Sequence, residues 1–244
     1  MTSVAEYNLE DGKVRDSKFL SFTPVCINKE NGWYGRANTL NSTCLYLAEN
    51  SDVAVVECKP KVGDRIILTD WTTVERNPLI MYPINSVEKI NAGVDKATNA
   101  LVKKLNESNR YFSRIIRIIQ EFIGNEFVKD IPVVSENKYE YFFSAYFADK
   151  VMTKKLTFLD NKNNPVLGQY DGIVYPSIAA KYNFDNFAIR ESSVSKLKAN
   201  SCSEYLVEET DYENFKNLKS RIPFKGKLLR KSVAITDKIT WDDD

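Results

Sequence analysis

The chain has 244 residues, 43% of them hydrophobic and 27% charged, which suits a water-facing globular protein with one large core or two small ones. Its 34 Lys and Arg against 33 Asp and Glu leave a net charge of +1, without the basic excess of a general nucleic-acid binder. It contains no histidine, which removes Ser-His-Asp and Cys-His catalysis, imidazole metal sites and imidazole proton shuttles.

Residues 1–17 read as a loosely docked lead-in. Residues 1–18 are polar and lack the apolar stretch of an export signal, and no apolar run reaches the roughly 18 residues that span a bilayer. The expected setting is the cytoplasm. Residues 19–27 are a plausible first strand, with Pro24 marking an edge. Residues 28–35 form a loop around the Asn31-Gly32 turn signal, and residues 44–48 a short apolar strand. Ser51 is the expected N-cap of a brief helix over 52–57, with Asp52 favourably placed in its first turn and Pro60 ending it. Residues 65–68 return as a strand.

Between 86 and 127 the pattern changes. Val87, Ile90, Val94, Ala97, Leu101 and Leu105 recur at helical spacing, and Tyr111, Ile115, Ile118, Phe122 and Ile123 mark a second amphipathic helix, joined to the first through 106–109. This helical hairpin is read as packing on the flank of the domain and supplying no catalytic group. A surface for a partner or a second copy of the chain is the alternative use of its stripe. Tyr139, Tyr141, Phe142, Phe143, Tyr146 and Phe147 lie on a third helix that runs to about Lys154, with Ser135 as candidate N-cap. They are read as core packing rather than a base-stacking surface, because aromatic side chains dominate buried area. A turn follows over 161–165, then a short buried strand over 172–175 ended by Pro176, then short strands from Ser203 around a polar segment, 211–220. The order of elements suggests an α+β fold rather than a regular βαβ alternation.

Four short segments carry the chemistry: Gly35-Arg36-Ala37-Asn38, Leu45-Tyr46-Leu47-Ala48, Ala54-Val55-Val56-Glu57 and Tyr170-Asp171-Gly172-Ile173-Val174-Tyr175-Pro176-Ser177. Each sets a polar or aromatic group at the end of a short apolar element, so an arginine, a tyrosine, a glutamate and a serine can converge on one pocket. Such a set suits an anionic ligand with a ribose and a flat ring.

In order and spacing these segments resemble the RES domain family, over roughly residues 19–189. Residues 141–149 look like its aromatic helix, and Asn186-Phe187-Ala188-Ile189 like its strand after the serine. The resemblance implies a single domain with an ADP-ribosyltransferase-like mixed β core over 19–199, flanking helices, an inserted helical hairpin over 86–127 and a C-terminal extension over 200–244. It implies catalytic roles for Glu57, Arg36, Tyr46 and Ser177, and substrate contacts from Arg36, Asn38, Tyr46, Tyr175, Ser177 and Asn186. The substrate implied is NAD, cleaved between nicotinamide and ribose with phosphate or water as acceptor, with no further cofactor and no metal. The partner implied is a helix-turn-helix antitoxin. A protein ADP-ribosyltransferase and a catalytically silent nucleotide- or partner-binding protein are the alternatives.

Glu57 would stabilise the positive charge that develops on the ribose. Arg36 would grip a pyrophosphate with its planar fork. Tyr46 would offer a flat face to nicotinamide, and Ser177 a hydroxyl to a phosphate or ribose oxygen. Many RES toxins carry a further arginine in the first strand. Here the matching stretch, 19–24, has none, and Arg15 and Lys18 lie just before it.

The four cysteines, Cys26, Cys44, Cys58 and Cys202, form no CxxC pair and fit no zinc spacing, so each is read as a small buried apolar residue. Thiol titration of the denatured, unreduced protein should find four free thiols; two would contradict this reading.

Overall fold

The structure is a computed structural model that describes residues 1–6, 13–22, 25, 29–30, 32, 34–75, 77–84, 110–131, 139–159, 163–217 and 222–243. In chain order its elements are β1 (Thr2–Glu6), a 3-10 turn (Ser17–Leu20), β2 (Cys44–Ala48), α1 (Ser51–Cys58), β3 (Arg65–Thr73), β4 (Met81–Pro83), α2 (Arg110–Phe127) and α3 (Phe142–Thr153). There follow β5 (Leu156–Leu159), β6 (Pro165–Gly168), β7 (Gly172–Pro176), β8 (Asp185–Arg190), a 3-10 turn (Glu191–Lys196), β9 (Leu197–Thr210), α4 (Tyr212–Lys216), β10 (Phe224–Ile235) and β11 (Ile239–Trp241). The fold is α+β. Among the described residues nine strands form one sheet in the order β11-β10-β9-β3-β1-β2-β8-β7-β4, and β5 and β6 form a separate hairpin. Only the β4–β7 pair is parallel among the described ladders. No helix among the described residues is long and apolar enough to cross a membrane.

The two-residue period of β2 and β8 divides the molecule into layers. Leu45 and Leu47 pair with Ile189 and Phe187 and point to one face, where they meet Val14, Leu20, Ile67, Trp71 and Trp241. Cys44 and Ala188 point to the other face and pack with Ile173, Tyr175, Phe127, Ala148 and Met152, which brings in the end of α2 and the body of α3. Ala48 shares that second face with Val53, Ala54 and Val56 of α1 and with Phe215 of α4. Burying each large aliphatic side chain in these layers contributes about 1.5–3 kcal/mol.

Several expectations change. The first strand is not 19–27: residues 17–20 form a 3-10 turn, held by Asp16 accepting from the Lys18 N–H at 2.9 Å, and Phe19 is exposed. Positions 23–24 and 26–28 lie outside the described residues. The first strand is instead Thr2–Glu6, read from sequence as a loose lead-in, and it pairs along its whole length with Ile66–Asp70 in the middle of the sheet. A polar strand of this kind is invisible to a search for apolar runs, because its neighbours supply the ladder.

The segment after Ser203 is not a series of short strands. β9 is 14 residues long and pairs with both β3 and β10, and β10 pairs with β11, so the strands after residue 200 are continuous with the main sheet. Glu204 lies within this strand with its carboxylate fully buried, taking Arg65 at 2.5 Å and 2.7 Å on one oxygen and the Arg230 Nε–H on the other. A buried carboxylate is tolerated when its charge and lone pairs are met in this way.

The first helix of the expected hairpin, 86–105, and its joint, 106–109, lie outside the described residues, as does Ser135. The second helix is present as α2. The aromatic cluster divides. Phe147 is part-buried against Tyr82 and Phe127, but Tyr139, Phe142, Phe143 and Tyr146 are exposed, which overturns their reading as core.

Asp171 and Gly172 serve the fold. Asp171 is buried and accepts from the Ile80 N–H at 2.7 Å, Lys196 Nζ at 2.9 Å and Ser193 Oγ at 2.7 Å, tying β4 and the turn before β9 to the start of β7. A Cβ at Gly172 would lie 2.2 Å from the Ala188 carbonyl oxygen, so the β7–β8 pair closes only over glycine. Burial by itself would raise the Asp171 pKa. The Ile80 N–H, Lys196 and Ser193 outweigh it and hold the group below its ordinary value. The stability this contributes is fully present above the unfolded pKa, about 3.9, and is lost as pH falls through the lower native value. Asp171→Asn is therefore expected to cost about 3 kcal/mol at pH 7. Urea melts should show the gap to wild type shrinking once pH drops below about 4. A constant gap would contradict the assignment.

Candidate active site

α1 delivers Glu57. Asn50, rather than Ser51, caps the helix by accepting from the Val53 N–H at 3.0 Å. Val53, Ala54, Val55 and Val56 are all buried, so the helix reaches open space at Glu57 and Cys58. Lys59 then takes a left-handed conformation (φ 50°) and Pro60 follows. Cys58 is exposed, which corrects its reading as a buried apolar residue; Cys44 and Cys202 are buried and unbridged, and Cys26 lies outside the described residues. Burial, with Asp149 nearby, pushes the Cys44 thiol up to about 12, which keeps it inert.

A carboxylate in the last turn of a helix opposes the helix dipole. Two donors offset this at Glu57: Ser177 Oγ–H at 2.5 Å and Asn186 Nδ2–H at 2.6 Å. Both fall on Oε1, which leaves Oε2 as the oxygen available to a ligand. Register brings the donors there. Ala48, Asn186 and Tyr175 stand opposite one another across β2, β8 and β7, so all three share the second face of the sheet. Ser177 follows at the end of β7, fully buried, with its N–H on the Phe184 carbonyl at 2.9 Å and its Oγ accepting from the Ala180 N–H at 3.2 Å.

Tyr46 stands on the same face, one row along, opposite Ala188. Its hydroxyl donates to Asn38 Oδ1 at 2.7 Å and accepts from the Ala37 N–H at 2.8 Å, while its ring lines the cleft. Burial of the hydroxyl, then Cys44 and Tyr175, push its pKa well above the ordinary tyrosine value. Burial likewise raises Tyr175 and Tyr141, with Arg36 opposing in each case. All three are neutral hydroxyls at physiological pH. Gly35 makes the Tyr46 contact fit: a Cβ there would lie 2.1 Å from Asn38 Oδ1 and 2.8 Å from the Tyr46 hydroxyl.

Arg36 also lines the cleft. Its guanidinium donates to the Phe127 carbonyl through Nη1, and through Nη2 to the Lys129 carbonyl at 3.1 Å and the Tyr141 hydroxyl at 3.1 Å, with its centre 4.7 Å from the Tyr141 ring. It thus joins the loop before β2 to the end of α2 and the start of α3.

The cleft encloses about 240 Å³ and is lined by Glu57, Tyr46, Tyr175, Asn186, Arg36 and Tyr141 among others. Arg36, Tyr46, Glu57, Tyr175 and Asn186 therefore meet at one cavity. Ser177 reaches it through Glu57, and Asn38 stands behind Tyr46. Arg15 and Lys18 do not line it; their segment is tied to β11 through the Asp16–Lys238 bridge. Sequence reasoning missed Tyr141 as a wall of the site. Its only signal was its place at the start of the aromatic helix, since an arginine 105 positions away is not visible as its partner.

Comparison with family models, curated proteins and solved structures finds no match.

Tyr46→Phe should cost about 1–2 kcal/mol, because it leaves Asn38 Oδ1 and the Ala37 N–H without their shared partner. Gly35→Ala should cost at least as much, since the added methyl forces Asn38 off Tyr46. Urea unfolding of both variants checks this, and a neutral Gly35→Ala would contradict it.

Proposed function

We propose that the chain is a RES-type enzyme, with an ADP-ribosyltransferase-like site, that cleaves NAD between nicotinamide and ribose. The observation that carries this reading is the carboxylate of Glu57, held through Oε1 by Ser177 and Asn186 inside a cleft walled by Tyr46, Tyr175, Tyr141 and Arg36. The cavity suits the nicotinamide-ribose end of the dinucleotide better than the whole of it.

In this reading nicotinamide lies against Tyr46 and the ribose C1′ faces Glu57 Oε2. The C1′–N bond breaks with its electron pair going to the pyridinium nitrogen. Nicotinamide then leaves neutral, so no general acid is required, and the lack of histidine is no obstacle. The positive charge left on C1′ and the ring oxygen is stabilised by the carboxylate. Water or phosphate then forms the new C1′–O bond on the ribose, and water releases a proton as it does so. Fixing one oxygen of Glu57 in advance keeps the other from reorienting as charge develops. Ser177 and Asn186 are thereby positioning residues. Arg36 adds positive charge to the wall that a pyrophosphate would approach, while its hydrogen bonds hold Tyr141. A helix-turn-helix partner belongs to the same proposal and rests on the resemblance alone; a cytoplasmic setting belongs to it too and rests on the polar character of residues 1–18 and the lack of a spanning apolar run.

One observation favours the alternative of a catalytically silent binding protein: the Arg36 fork is already bonded to two carbonyls and a tyrosine, which reduces its capacity to clamp a pyrophosphate.

Glu57→Gln is expected to lower nicotinamide release from NAD about 100- to 1,000-fold while folding and NAD binding stay near wild type. Arg36→Ala should also weaken binding, because a charge at the cleft wall acts on the ground state too. Free nicotinamide is followed with phosphate, with water alone and with a cell lysate as acceptors, and labelled proteins are followed in the lysate. Release no greater than a buffer control under all three conditions would overturn the enzyme reading in favour of the binding one.

A further inference from the structure

We infer that the outward face of α2 and α3 is the seat of a second copy of this chain, with the two α2 helices antiparallel. The helix α2 carries two apolar stripes. One, through Ile123 and Phe127, turns inward to the α3 layer and the sheet. The other, Ile115, Ile118, Ile119 and Phe122, follows the i, i+3, i+4, i+7 spacing of a helix-packing seam and continues onto Phe143 and Tyr146 of α3. These six side chains are between 41% and 57% exposed.

Their open surface amounts to about 600 Å² of mostly apolar area, at the upper end of the largest patch a monomer commonly shows, where such patches are often functional. A standard interface takes about 800 Å² from each partner, so the stripe would form its apolar centre. In a two-fold contact the same stripe meets its own copy.

Charge selects the direction. Arg114 and Glu121 are one heptad apart on the same flank of the stripe. If the helices ran parallel, Arg114 would face Arg114 or the opposite flank. Running antiparallel, Arg114 of each copy lies beside Glu121 of the other, which gives two symmetric opposite-charge pairs at the rim, and Ile118 stands near the two-fold axis. The contact also bears on the cleft, because Arg36 holds the last turn of α2 through the Phe127 carbonyl.

Sedimentation equilibrium of the full chain over about 1–100 μM tests the inference, with circular dichroism and urea melts as folding controls. Wild type is expected to sediment as a dimer. Ile118→Glu, at an exposed position, should give a folded monomer, with the dimer dissociation constant raised by about 100-fold or more. Arg114→Glu and Glu121→Arg should each weaken the dimer about 10-fold, and the double exchange should restore it to within about 3-fold of wild type. A wild-type monomer at 100 μM would overturn the inference and leave the stripe to another occupant. So would a dimer indifferent to Ile118→Glu, which would place the contact elsewhere. A dimer broken by Ile118→Glu but not rescued by the double exchange would overturn the antiparallel arrangement. Should Ile118→Glu fail to fold, the three charge variants, which remove no apolar contact, decide the matter alone.

Discussion

The pair of hydrogen bonds onto Glu57 Oε1 is the constraint on which the site depends. Glu57 follows the buried stretch Val53 to Val56 of its helix, at the end where the dipole disfavours a carboxylate. Ser177 comes from the end of β7 and Asn186 from β8, so one oxygen atom joins a helix to two strands. Anything that shifts α1 against the β7–β8 pair moves the carboxylate. The buried Val53, Ala54, Val55 and Val56 hold the helix down on one side, and the register that sets Ala48, Asn186 and Tyr175 in one row holds the strands on the other. The price of that arrangement is a set of close contacts, at Gly35 and Gly172, that no side chain can enter.

How much of this was legible from the sequence follows from where the relevant signals lie. β2 and β7 stand out because short apolar runs between turn residues read as strands, and α1 because it has a clear start and a proline stop. The convergence of Arg36, Tyr46, Glu57 and Ser177 was legible as an ordered set of segments: the first three line the cleft, and Ser177 reaches it through Glu57. Their roles were less so. Ser177 and Asn186, expected to contact a ligand, both donate to Glu57, with Asn186 also lining the cleft, and Asn38 accepts from Tyr46. Such partnerships span 8 to 129 positions of sequence and arise only when helix, loop and strands are brought together in the fold.

The errors have a common physical origin. β9 admits the buried Glu204 because two arginines meet its carboxylate, and β1 joins the sheet through backbone pairing with β3, which a search for apolar runs does not reveal. Aromatic residues at 139–146 were assigned to a core on the strength of their type alone, yet type does not fix which face of a helix meets the body. The same indifference applies to α2, whose amphipathic pattern is evident in sequence but whose second apolar stripe is recognised only when the first is seen to be occupied. Arg36 links the two themes. It stands at the cleft wall and, through the Phe127 carbonyl and Tyr141, braces the two helices whose outer faces are open.

The central claim is that Glu57, fixed through one oxygen, presents the other to a ribose. A crystal structure of the chain with a non-cleavable NAD analogue tests it most directly. The expected result is the nicotinamide-ribose end in the cleft, with Glu57 Oε2 about 3–3.5 Å from C1′ and Oε1 still bonded to Ser177 and Asn186. An analogue bound with its ribose away from Glu57, or a Glu57 side chain swung off both donors to meet it, would contradict the account.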